Sequence, residues 1–495
     1  MQQFSFLKHA GVYAVGDLLV NAAGLLLVPL YTRRLSRGEF DDLEIIDTTA
    51  QVLTICLLAR GITMAVFAFA NQSRTEDERR QAVGAAYLLT GGAMLAGALL
   101  LLPAVEPLGR CLNLPTGWLL WTALVAALID GVALVGHSLN QARMDSEFYA
   151  AISFGQFVVK VGLCVLFVAG FGWGVWGVVA ASLVRALLFA AILFRRECRI
   201  GLAWPQRAIL REMLAFAWPF LPTGLGFFIL NSADRYFLLP FAGDGEIGSY
   251  GLAYKLAGLV GLVSITPLYR VWSARMYAAA ETPDAAVVFG RVTTWLLTGY
   301  LFVGLGLSLL EVEVVMVYAG PAFVGGSALP IMAVIILANG LQAASTLLEG
   351  PLYVRRQTRW KVWITMASTT VMLTLYALLI PNFGPWGAAV ATLFGFAFHA
   401  AITYAVAQRV LPVRHELGRL AALLASAVAV WLVGYGLGAG LWLAPLKVGL
   451  WLLWPVLLWT TGLIRADEKA WLLGCVQRVV QRLPLRRRSL GQPRP

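Results

Sequence analysis

"LNSADRYFLLPFAGDGEIGSYGLAYK", residues Leu230 to Lys255, opens apolar enough for a lipid bilayer, yet sets Asp234 beside Arg235 and adds Lys255 shortly after. An ionisable group inside a spanning helix is costly, and it persists where it faces a partner or a watery cavity. The stretch therefore reads as two spanning helices joined by a short hairpin, with charge built into both.

The rest of the chain supplies the membrane. Its 495 residues are 59% hydrophobic and 13% charged, and the mean hydropathy is +0.76, well above the balance of soluble domains. A spanning helix takes about 20 mostly apolar residues. That ruler gives about fourteen spans, near 11–31, 43–64, 82–102, 117–139, 150–170, 174–194, 213–239, 248–268, 290–310, 326–349, 360–380, 385–408, 417–440 and 445–464. The N-terminal run lacks a small-residue cleavage site and continues through Leu30, so it is expected to be kept as span one. The expected fold is an all-α polytopic membrane protein.

Charge sets the orientation. Of the 38 Lys and Arg residues, about 28 fall in connections on one side, and the positive-inside rule makes that side cytoplasmic, with both termini on it. The formal charge of +12 is thereby a topology signal rather than a nucleic-acid footprint. The five cysteines, Cys56, Cys111, Cys164, Cys198 and Cys475, follow no disulfide or metal spacing. No metal or other cofactor is expected.

The hairpin also carries half of an internal repeat. "GEIGSYG" (Gly245 to Gly251) matches "GEFDDLE" (Gly38 to Glu44) at an offset of 207 (245 − 38). "WGAAVATL" (Trp386 to Leu393) matches "WGVVAASL" (Trp176 to Leu183) at 210 (386 − 176). Two matches whose offsets differ by only three residues (210 − 207) describe one duplication of six spans. An even number of crossings gives both copies the same orientation, related by an axis along the membrane normal. The expected domains are an N-lobe over 1–200, a C-lobe over 201–410, two further spans over 411–464 and a basic cytoplasmic tail over 465–495. Ser36 with Glu39 forms a capping box at the entry to span two, and Gly243 with Glu246 repeats its place. The tail segment "EKAWLLGCVQRVVQRLPLRRRS" (Glu468 to Ser489) alternates apolar and basic positions and suits an anionic lipid surface as well as a plain positive-inside tail.

These residues resemble a known family. The Ser-x-Gly-Glu-Phe entry to span two, the "ADRYFL" and "GEIGSYGLAYK" hairpin, and the "FGWGVWG" and "NFGPWG" turns before spans six and twelve are similar to the polysaccharide transporter or oligosaccharide flippase family. That family shares a superfamily with multidrug extruders and lipid II flippases. The resemblance implies two six-helix lobes around a central cavity. It also implies movement of a polyprenyl-pyrophosphate-linked oligosaccharide across the bacterial inner membrane, with cationic residues holding the pyrophosphate. Span one carries Asp17 and Asn21 where lipid II flippases use an arginine, which argues against a peptidoglycan precursor.

The charges inside the spans then become the candidate site. Arg235, Arg185, Lys160 and Lys255 are the expected cationic lining of the cavity. Asp130, Asp234, Asp17 and Asp47 are the candidates for ion coupling, Asp130 first because it shares a deep layer with Lys160 and Arg185. Asp234, Arg235 and Lys255 fall at matching depth by helical rise. Neighbours on a helix point about 100° apart, so Asp234 is expected to pair with Lys255, leaving Arg235 for the cavity. The alternatives at these positions are structural ion pairs: Asp234 with Lys255, Asp130 with Lys160 or Arg185. Arg60 and Glu349 sit near span ends, and His137 and His399 read as polar residues at helix contacts.

The rival functions are lipid II flipping, ion-coupled drug export, and a membrane enzyme of polysaccharide assembly. The bias toward cations among the deep charges argues against export of cationic drugs. No connection on the outer side exceeds about 15 residues, and no nucleophile–base set stands in one, which argues against a polymerase or ligase and against any enzyme. With no phosphate-binding loop in the sequence, energy is expected from an ion or substrate gradient. The expected partners are the lipid-linked oligosaccharide, membrane lipid, and a polymerase and glycosyltransferases of the same assembly line, with a monomer as the working unit.

Overall fold

A computed structural model describes residues 23–73, 75–324, 328–470 and 474. The described residues are helical throughout, joined by short turns. Eleven of the helices are long and apolar enough to cross a membrane, or twelve counting the bent pair Arg37–Cys56 and Ala59–Gln72 as one span. The longest, Arg359–Val410, is broken at Gly384, with φ 53 and ψ −133, between Pro381 and Pro385. The two spans expected at 360–380 and 385–408 meet at this break. Span one, expected at 11–31, lies mostly outside the described residues, as do Asp17 and most of the basic tail.

In lipid each backbone polar group must be satisfied within the protein, so apolar runs close into helices. Side chains then decide what faces inward. Span two bends by 48° at Leu57 and Leu58, where Leu58 takes a left-handed φ of 58. Neither proline nor glycine stands at this bend. Below the bend, Ile62, Ala65 and Val66 pack with Val83, Ala86, Val135 and Leu139, and with Met213 and Ala217 of the helix entering span seven.

The chain forms two compact units, Met1–Gly261 with Val314–Pro412, and Leu262–Glu313 with Val413–Pro495. The first holds spans two to seven, most of span eight, and spans ten to twelve. In the second, Leu305, Leu309, Leu423, Val430, Trp454 and Leu458 make one core, and the Trp451 ring stacks on Phe302 with centroids 4.7 Å apart.

Candidate functional site

The entry to span two is fixed by its caps. The backbone N–H of Glu39 donates to Ser36 Oγ at 3.2 Å, and the Ser36 N–H donates to Glu39 Oε2 at 2.9 Å. The other oxygen of Glu39 accepts from the Val175 N–H at 3.2 Å, so one carboxylate serves the first turns of two spans. In the second copy the Gly243 N–H donates to Glu246 Oε2 at 2.9 Å.

Asp41 crosses from one copy to the other. Its carboxylate accepts from the Gly245 N–H at 2.7 Å and the Gly248 N–H at 2.6 Å, capping the Glu246–Ser264 helix of span eight. The first N–H groups of a helix have no partner of their own, and they carry the positive end of its dipole. A carboxylate from span two answers both needs.

One turn further along, Glu44 is buried and hydrogen-bonds Lys255 Nζ. Arg235 Nε lies 3.9 Å from its other oxygen. Tyr236 OH donates to Thr49 Oγ1 at 2.9 Å. Residues three and four apart share a helix face, so Asp41, Glu44 and Thr48 present one polar stripe to the hairpin. The stripe needs close approach. A Cβ at Gly248 would lie 2.5 Å from Phe40 Cδ1, and one at Gly251 would lie 2.4 Å from Glu44 Cδ.

Below this contact opens a cavity of 230 Å³. Span two contributes Glu44, Asp47, Thr48 and Gln51, span seven Ser232 and Arg235, and span eight Tyr254 and Lys255. Asp47 is exposed to this space, within electrostatic reach of both Lys255 and Lys160. Lys255 is 33% exposed along its side chain, so the ammonium that holds Glu44 can also be reached from the cavity.

The expected Asp234–Lys255 pair is replaced by another arrangement. Asp234 is 0% exposed, accepts from Tyr250 OH at 2.6 Å and pairs with its neighbour Arg235 at 2.8 Å. The angular argument against adjacent residues fails here for a physical reason. The helix is interrupted at Ala233, Asp234 starts a new five-residue turn, and the long guanidinium folds back, donating also to Asn231 O at 3.3 Å. Arg235 stands 4.8 Å from the centre of the Tyr254 ring, a cation–π contact. Tyr254 OH donates to Thr392 Oγ1 at 3.1 Å, and Tyr376 OH lies 3.3 Å from the same hydroxyl. Asp234 is thus sealed among tyrosines, while Arg235 and Lys255 both reach the cavity.

The deeper layer divides as well. Arg185 pairs with Asp130, and Lys160 donates to Ser182 Oγ, so the Asp130–Lys160 bridge gives way to Asp130–Arg185. Glu349 pairs with Lys361 at 2.7 Å and accepts from Tyr353 OH at 3.0 Å. His399 Nδ1 lies 2.9 Å from Ser368 Oγ, and the His137 ring packs edge-on to Tyr149.

Sequence reasoning missed Glu44 and Asp41. Both fall in the first turns of span two, where a carboxylate reads as part of the cap. The repeat held the signal, since it sets Asp41 and Glu44 opposite Gly248 and Gly251, and a glycine facing a carboxylate marks space for it.

The fold is shared with solved transporters. A structure described as lipid II flippase MurJ in an inward closed conformation matches with a TM-score of 0.74 at 12% identity, covering 92% of this chain and 99% of that one. An inward-facing multidrug resistance MATE family transporter of the MOP superfamily matches with a TM-score of 0.65 at 14% identity, over 82% and 95%. A MATE transporter in the straight conformation gives 0.55 at 13% identity, over 85% and 96%. No curated protein matches the sequence. Residues 6–273, more than half of the chain, match the family described as polysaccharide biosynthesis protein. The chain belongs to that family, as the hairpin and the repeat led one to expect.

Proposed function

We propose that this protein is a flippase for a polyprenyl-pyrophosphate-linked oligosaccharide, the repeat unit of an O-antigen, capsule or exopolysaccharide, in the bacterial inner membrane. The observation that carries the reading is the cavity between span two and the hairpin, where Arg235, its own partner Asp234 sealed behind it, stands at the wall with Lys255, and Glu44 and Asp47 supply the counter-charges of the lining. A guanidinium fork and an ammonium suit a pyrophosphate, and the two carboxylates are what such an anion displaces. The family match and the transporter fold support the same reading, as does the absence of a catalytic set in the sequence.

In this account the end bearing Asp41 and Gly245 is periplasmic and both termini are cytoplasmic. The contacts of Asp41, Glu44 and Thr49 with the hairpin hold the two sequence copies together at that end. The headgroup enters from the cytoplasmic side and meets Arg235 and Lys255, with Arg185 and Lys160 attracting it from the deeper layer. As the phosphate takes over Lys255, Glu44 loses its partner inside a buried contact. Removing one member of a buried pair costs about 3–5 kcal/mol, which favours separation at the periplasmic end. Alternating access of the two lobes completes the transfer.

Binding measurements on the purified protein test this reading. A polyprenyl pyrophosphate sugar is expected to bind, Arg235→Ala to weaken it about tenfold or more, and Arg235→Lys to restore part of it. Equal binding of a cationic drug, untouched by Arg235→Ala, would move the protein to drug export.

A further inference from the structure

In the second unit three ionisable side chains are buried together. Glu311 and Glu313 stand at the start of the Glu311–Tyr318 helix, and Lys447 lies in the first turn of Ala444–Thr460. Their exposures are 5%, 5% and 4%. Lys447 Nζ pairs with Glu313 Oε1 at 2.7 Å, and the Gly440 N–H donates to the same oxygen at 3.3 Å. Among the described residues, Oε2 of Glu311 and Oε2 of Glu313 are both buried without a hydrogen-bond partner.

The charges do not balance. Two carboxylates face one ammonium, which leaves one negative charge where solvent is shut out. An uncompensated buried carboxylate costs several kcal/mol, and it escapes that cost by taking a proton or a cation. We infer that Glu311, with Glu313 beside it, forms a site for one monovalent positive charge, a proton or a sodium-sized cation, built from residues that take no part in the cavity. Burial raises the Glu311 carboxyl to about 8, with Glu313 pushing the same way and Lys447 opposing. Among the described residues, those two are the charged groups that act on it.

The sign of the effect is fixed. The folded protein holds this proton more tightly than the unfolded chain, so its stability falls as pH rises from the ordinary carboxylate range through about 8. The test is thermal unfolding of the full-length protein in detergent across this range, with choline or sodium as the added cation. The wild type is expected to lose melting temperature toward alkaline pH, and Glu311→Gln, a mimic of the protonated acid, to lose that dependence. If sodium is the ion, sodium but not choline raises the alkaline melting temperature of the wild type and leaves the variant unmoved; if the proton is, neither salt matters. Lys447→Met gives an independent reading, because loss of the opposing ammonium moves the wild-type transition to higher pH. A Glu311→Gln protein that keeps the full pH dependence, or a transition unmoved by Lys447→Met, overturns the site.

Discussion

Asp41 Oδ1 accepts from the Gly248 N–H at 2.6 Å across a separation of 207 residues, the same number that separates "GEFDDLE" from "GEIGSYG". Positions that the two matched stretches align therefore meet. A two-fold relation brings such positions together near its axis, and two identical side chains would collide there. The chain avoids this by keeping the carboxylate in one copy and glycine in the other, at Asp41 with Gly248 and again at Glu44 with Gly251.

That packing gives a first prediction. Gly248→Ala sets a Cβ 2.5 Å from Phe40 Cδ1 and 3.1 Å from the Phe40 carbonyl carbon, so span two and span eight must separate. Overpacking of this kind costs about 1–3 kcal/mol, enough to change the closed population about tenfold. Tyr236 reaches Thr49 through the full length of its side chain, so a short bis-maleimide cross-link between Thr49→Cys and Tyr236→Cys reports closure, and its yield is expected to fall in the Gly248→Ala background. An unchanged yield would mean that this contact does not hold the two copies together.

The Glu44–Lys255 bridge makes a different prediction. Lys255→Met leaves Glu44 buried with Arg235 at 3.9 Å as its nearest cation and is expected to lower the amount of folded protein. Glu44→Gln is milder, because Lys255 can turn to the cavity. Exchanging the two charges should recover abundance without recovering transport, since the accessible position then carries the carboxylate and the cation takes the buried one. Abundance and export measured side by side in the four proteins separate these outcomes.

In the deeper layer, Arg185→Ala is expected to lower export by about tenfold or more while Arg185→Lys retains part of it, because Asp130 keeps a cationic partner but loses the fork. Asp130→Asn frees Arg185 rather than removing it, so it should tighten binding of the pyrophosphate lipid. Weaker binding in Asp130→Asn would make the pair structural alone.

A pH prediction concerns Asp145, which lies between two spans and caps the next helix through the Phe148 N–H at 3.3 Å. The hydrogen bond from Arg196 holds its carboxyl below the usual range, against the opposing effect of burial. A depressed carboxyl stabilises the folded state at neutral pH, and the contribution is lost as pH falls below about 4 through the folded value. Asp145→Asn keeps much of the cap and loses the charge, so melting curves should show a variant slightly less stable at neutral pH and less sensitive to acid. Parallel acid curves for the two proteins would contradict the assignment.

The architecture was legible where it depends on long runs and on repetition. The described spans follow from apolar length, and the contact of Asp41 with Gly248 lies within the two matched stretches. Ion partners were less legible, because they depend on helix breaks and side-chain reach. Asp234 was expected to seek Lys255 across the hairpin. The interruption at Ala233 and the length of the arginine side chain satisfied it with its own neighbour instead, and Lys255 was left for Glu44. Glu44 looked like part of a helix cap until the crossing of spans two and eight showed what it touches. Asp47 shows no such local partner in its sequence neighbourhood, and only the cavity explains its exposure.

The most direct test of the central claim is a flipping assay in vesicles reconstituted with the purified protein and a fluorescent polyprenyl-pyrophosphate-linked oligosaccharide. Lipid on the outer leaflet is scored by its access to a membrane-impermeant reagent. The account predicts protein-dependent transfer that Arg235→Ala abolishes at equal incorporation. Transfer equal to that of protein-free vesicles, or a rate unchanged in Arg235→Ala, would contradict it.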